Sequence, residues 1–137
     1  MSHATVRQLF ESRLIQWADQ QDLPVETENV ALTPPTSGAF LSIFVLPAQS
    51  DGGFLEGGHV TYTGIVQVSI RDRLGGGVAE CNRIAELLAA LFPQNLRMTA
   101  GAFAVQQVSP LSTAPGFVSD GRYVLPVSLR YRADVTP

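Results

Sequence analysis

The sequence contains no lysine, and all nine of its basic residues are arginines. This excludes Schiff-base catalysis, a P-loop lysine and a polybasic tail. A single cysteine, Cys81, rules out an intrachain disulfide. The two histidines, His3 and His59, are too few for a metal cluster. No apolar run approaches the roughly 20 residues that span a bilayer, so no membrane partner is expected. The first residues show no signal-peptide pattern, which gives the expectation of a cytosolic origin. No GxSxG, HExxH, CxxC, EF-hand or Walker pattern occurs. The expectation is a protein without catalysis and without a cofactor. The formal charge of -3 does not favour dedicated nucleic-acid binding.

What is present is apolar. A chain of 137 residues fits one domain, residues 1–137, burying roughly two thirds of its unfolded surface. With 45% hydrophobic and only 15% charged residues it is rich for a free monomer, and the surplus points to self-association.

Residues 4–21 carry Val6, Leu9, Phe10, Leu14, Trp17 and Ala18 at three- and four-residue steps, which predicts an amphipathic helix with Trp17 in the core. Ser2 could cap it, and Asp22 with Pro24 ends it. Residues 25–29 read as a short strand with Glu26 and Glu28 on one face. These carboxylates could do acid–base chemistry, but nothing in the sequence drives their pKa values apart, and a solvated or arginine-facing surface is the simpler reading. Residues 33–38 make a stiff double-proline turn. In residues 40–46 both parities are apolar: Phe40, Phe44 and Leu46 point one way, Leu41, Ile43 and Val45 the other. Residues 60–71 and 122–132 alternate as half-exposed strands, with Ile65 the large apolar exception on the polar side of the first. Pro126 suggests an edge or a bulge in the second.

Between these strands, residues 49–58 form a glycine-rich loop with Phe54-Leu55 at its tip. That tip could fold back on its own domain or dock on a neighbour. Gly75-Gly76-Gly77 precedes a helix over 78–92, the local setting of either an anion cradle or a plain helix-start loop. Cys81 falls on that helix's buried side, where an inert core thiol is expected. Residues 96–108 look like one strand interrupted at Gly101, residues 109–121 like a long loop with an apolar tip at Phe117-Val118, and residues 134–137 like an unordered tail. The sum is an α+β domain of two layers, a mostly antiparallel sheet with two helices on one face, in the order helix, three strands, helix, two strands. One strip of the 40–46 strand then lies on the open sheet face, and we assign the contact to Leu41 and Ile43.

Within residues 25–48, the succession Glu28-Asn29, Pro34-Pro35, Phe40-Leu41 and Leu46-Pro47-Ala48 resembles the tail terminator, or tail completion, proteins of long-tailed phages, the group typified by the minor tail protein U of phage lambda. The order of elements elsewhere agrees with that resemblance. It implies a structural subunit of the virion tail, assembled in the host cytoplasm, that forms a sixfold ring of identical copies at the head-proximal end of the tail tube. Such a ring stops tube polymerisation, contacts the tail tube protein, offers a surface to a head-side connector, and lets DNA pass through its lumen. A ring needs two unlike patches. The expectation is that Glu26 and Glu28, with Phe54 and Leu55, meet a neighbour's sheet face bearing Arg71, Arg122, Arg130 and Arg132, with Leu41, Ile43 and Phe117 adding apolar contact. Two other readings stand beside it: another neck or adaptor component, and a small enzyme or ligand-binding domain using Glu26, Glu28, His59 and the triple glycine.

Overall fold

The computed structural model describes residues 3–28, 30, 32–33, 35, 38–48, 51–52 and 60–135. Helix α1 (His3–Gln20) buries Val6, Phe10, Leu14 and Ala18 completely, at the spacing read from the sequence. Trp17 packs half-buried against that core. The helix stops where Asp22 turns left-handed (φ 56°), and the amides of Gln21 and Leu23 both donate to the Ala18 carbonyl. Ser2, the expected cap, lies outside the described residues.

The strands in chain order are β1 (Val25–Glu26), β2 (Phe40–Pro47), β3 (Asp51–Gly52), β4 (Val60–Arg73), β5 (Arg97–Ala100), β6 (Phe103–Gln107), β7 (Ser112–Thr113), β8 (Phe117–Ser119) and β9 (Arg122–Val135), with helix α2 (Ala79–Leu91) between β4 and β5. Among the described residues they form one sheet, in the order β1-β2-β4-β9-β6-β5, with β3 on β4, and β7 and β8 on β9. Among the described strands only β1 runs parallel to its neighbour. β4 and β9 pair antiparallel without a break from Val60↔Val135 to Arg73↔Arg122. This ladder is the spine. β9 reaches Val135, so residues 134 and 135, expected in an unordered tail, belong to it.

Both helices pack on one sheet face. α2 contributes Cys81, Ile84, Ala85 and Leu88; the sheet contributes Leu41, Ile43 and Val45 from β2, Val66, Val68 and Ile70 from β4, and Leu125, Val127, Leu129 and Tyr131 from β9. Phe10 of α1 meets Phe92, just past α2, at 5.9 Å between ring centroids and Tyr131 at 6.1 Å. Arg13 Nε donates to the Leu91 carbonyl at 2.9 Å, placing a cation at the negative end of α2. Gln107, fully buried, donates from Nε2 to the carbonyls of Phe92 (2.7 Å) and Ser109 (2.8 Å), so it satisfies two backbone acceptors that water cannot reach.

Three local expectations change. Residues 97–107 are a hairpin rather than one interrupted strand, because Gly101 takes a positive φ (61°) and reverses the chain, pairing Arg97 with Gln106. The loop over 109–121 contains β7 and β8, which cover the edge of β9 that β6 leaves free. Pro126 is not at an edge, since it faces Ser69 of β4 within the ladder. Its carbonyl accepts from Ala114 (2.9 Å), so its missing donor also points to the β7–β8 side and no β4 bond is lost. There, residues 114–116 stand opposite 125–126, a bulge between the two short strands.

Gly64 lies opposite Tyr131, and a Cβ at residue 64 would come within 2.5 Å of the Tyr131 hydroxyl and 2.6 Å of the Leu46 carbonyl. Gly64→Ala should therefore cost about 1–3 kcal/mol by overpacking. Urea unfolding measures this, and an unchanged midpoint would contradict the close approach. The same tyrosine meets His3 Nδ1 at 2.7 Å, while burial and the nearby Arg7 charge lower the His3 pKa below its usual 6.5. The folded state thus disfavours the imidazolium. Its contribution to stability is full above pH 6.5 and declines as pH falls from there through the lowered folded value. Thermal melts between pH 7.5 and 5.5 should show this decline in the native chain and a smaller one in His3→Gln.

Candidate assembly interface on the open sheet face

The sheet face turned away from the helices is assembled by register. Cross-strand partners share a face, so Phe40, Arg71 and Val124 form one row, Ser42, Ser69 and Pro126 the next, Phe44, Gln67 and Ser128 a third, and Leu46, Ile65 and Arg130 a fourth. The row set corrects one expectation. Leu41 and Ile43 are buried under the helices, because the β2–β4 register puts them beside Ile70 and Val68. The open-face strip of β2 is carried by Phe40, Phe44 and Leu46.

At one end of this face the charged groups are held by the chain itself. Ser42 Oγ donates to Glu26 Oε1 (3.3 Å), and Arg71 Nε donates to that hydroxyl (3.1 Å), which links β1, β2 and β4. The Arg122 guanidinium stacks over the Phe40 ring at 4.9 Å and donates to the carbonyls of Gly38 (3.2 Å) and Pro35. It ties Pro35 and Gly38 to β9. Glu26, Phe40, Arg71 and Arg122, with Ser119 and Asp120, rim a recess of 190 Å³. Glu28 also serves the fold: Oε1 accepts the Val45 amide (2.7 Å) where β1 has already ended, and the carboxylate meets Arg7 of α1 at 3.3 Å. An edge amide of β2 that lacks a strand partner is thereby satisfied. Glu28 thus has a use within the chain beside the interface role expected of it.

The other end is different. Leu46 is 50% exposed, Ile65 39% and Val108 38%, and the three lie in one row across the sheet with Arg130 between them, since the Val108 amide donates to the Arg130 carbonyl. The Arg130 side chain is exposed and has no hydrogen-bond or ion-pair partner among the described residues. Around it lie a hollow of 490 Å³ lined by Ala48, Ile65, Val108 and Tyr131, and a second of 310 Å³ toward Ser109 and Ser128. Arg132 is ion-paired with Asp134 at 2.9 Å. Phe117, on the same face at the β8 edge, is 50% exposed beside Val118. Thus Arg130 and Phe117 remain presented to solvent, whereas Arg71, Arg122 and Arg132 are engaged within the chain. Phe54, Leu55 and His59 lie outside the described residues.

The chemical alternatives gain little. The triple glycine leads into α2 with positive φ at Gly75 and Gly77, but the adjacent recess sets the carboxylates of Asp72 and Glu80 against the single cation of Arg73, so it offers an anion no net positive charge. Burial pushes the Cys81 thiol up to about 11, with Asp72 and Glu80 adding to the shift, so it stays protonated at neutral pH. Among the described residues no group of three histidine, cysteine or acidic side chains could hold a metal, and no helix is long and apolar enough to cross a membrane. In the sequence Ile65 is anomalous on a polar face, but its place beside Leu46 and Val108 depends on register.

None of the curated proteins matches the chain. A solved structure identified only by a sequence identifier is similar at 35% identity with a TM-score of 0.84, over 100% of this chain and 99% of that one. The family model described as phage tail terminator protein matches residues 5–131, a span from the first turn of α1 to Tyr131 that includes both helices and the whole β4–β9 ladder up to that point. The chain belongs to the phage tail terminator protein family, a family of structural phage tail proteins.

Proposed function

We propose that copies of this chain close into a homohexameric ring at the head-proximal end of the tail. The ring caps the tail tube, stops its polymerisation and offers the surface on which a head-side connector docks. The match of residues 5–131 to the tail terminator family carries this reading. The exposed Leu46–Ile65–Val108 row around an unpartnered Arg130 supports it, because exposed apolar side chains grouped in one row of a sheet favour contact with another protein.

A ring is built from heterologous contacts, in which one patch meets a different patch on the next copy. Capping by such a ring is a binding event: it covers the surface on which the next tube subunit would add. No bond is made or broken, so the work falls to shape and charge. DNA passes through the lumen, and a chain of net charge -3 without lysine suits a passage that does not grip phosphates.

Interrupting this gene in the parent phage tests the reading. Negative-stain electron microscopy of the lysate should show overlong tails without heads. Tails of normal length that still join heads would end it.

A further inference from the structure

The open face presents two exposed features that complement each other. The first is a tip, where Phe117 of β8 is 50% exposed, followed closely by Asp120. Asp120 is held at a positive φ of 52°, and its exposed carboxylate has no partner among the described residues. The second is the 490 Å³ hollow, in which Ile65 and Val108 lie beside the unpartnered Arg130. One carries an aromatic ring and a free acid, the other an apolar recess and a free base.

Within one chain they cannot meet. Phe117 stands opposite Val124, six residues along β9 from Arg130, which is about 20 Å at the rise of a strand. We propose that the tip of one copy enters the hollow of a neighbouring copy, with Phe117 against Ile65 and Val108 and with Asp120 paired to Arg130. The hollow has room for one aromatic side chain. The paired charges sit at its mouth, where the planar guanidinium can take both carboxylate oxygens. This contact deepens the ring reading by naming an interface, and it rests on that reading for its setting. It also reassigns the acid that meets the neighbour's arginine face from Glu28, which is held by Arg7 and the Val45 amide, to Asp120.

Charge reversal gives a direct test in the full-length chain. In sedimentation equilibrium the native chain should self-associate with rising concentration. Asp120→Arg and Arg130→Asp alone should each weaken association on the order of a hundredfold, since each sets like charges against one another. A 1:1 mixture of the two variants should restore it, because in an alternating assembly every contact again joins an acid to a base. Phe117→Ala should weaken association roughly tenfold without changing the charge pattern. All three positions are solvent-exposed or at a strand edge, and matching melting temperatures identify intact folds. Single variants that associate like the native chain, or a mixture no better than its components, would overturn the contact. So would a native chain that stays monomeric at every concentration, while leaving the tail-length experiment to decide the function. Association that stops at two subunits would support the contact and speak against the ring.

Discussion

The β4–β9 ladder is the constraint on which the rest of the structure depends. Its register holds without a bulge between those two strands from end to end, and side chains alternate strictly across it. A slip of one residue would turn Val66, Val68, Ile70, Leu125, Val127 and Leu129 from the helices to the open face. The close fit of Tyr131 over Gly64 helps to pin that register, since a side chain at residue 64 would strike the tyrosine hydroxyl. The other strands build outward from this pair. β2 lies along β4, while β6, β7 and β8 share the far edge of β9, and the two helices cover one face.

Arginine then divides the surface into parts the fold uses and a part it leaves open. Arg13 holds the end of α2, Arg7 meets Glu28, Arg122 holds the carbonyls of Pro35 and Gly38, and Arg71 reaches Ser42. The forked guanidinium suits this work, because one side chain can reach two carbonyls, as Arg122 does, where an ammonium acts as a point charge. Exposed pairs such as Arg83–Glu80 and Arg132–Asp134 contribute little to stability but hold their side chains in place. Arg130 has no such task among the described residues, and it stands in the most apolar exposed row of the sheet. Contact with another protein is a matter of surfaces, and this end of the sheet is one that the chain leaves open.

Much of this was legible in the sequence, for a physical reason. The periods of the apolar residues mark α1, α2, β4 and β9, each with one apolar side, and the unbroken apolar run marks β2. Periodicity says nothing of which parity in β2 faces the helices. Leu41 and Phe40 look alike until pairing with β4 places Leu41 beside Ile70 and Phe40 beside Arg71. The hairpin at Gly101 and the short strands β7 and β8 were hidden for a related reason. A glycine within a run reads equally as a break or a reversal, and two or three residues are too few to show a period. Glu28 was legible as an acid near arginines but not as the partner of a backbone amide, which requires knowing that β1 ends at Glu26. The resemblance to tail terminators, carried by residues 25–48, pointed to the family that the match over 5–131 establishes.

The central claim is that the open sheet face around Ile65 is covered when the chain takes its place in a tail. Thiol labelling of Ile65→Cys tests it most directly, since the buried Cys81, with its raised pKa, leaves a low background. The account predicts fast labelling in the free chain and strong protection in tails assembled with the variant. Equal labelling in both would contradict it.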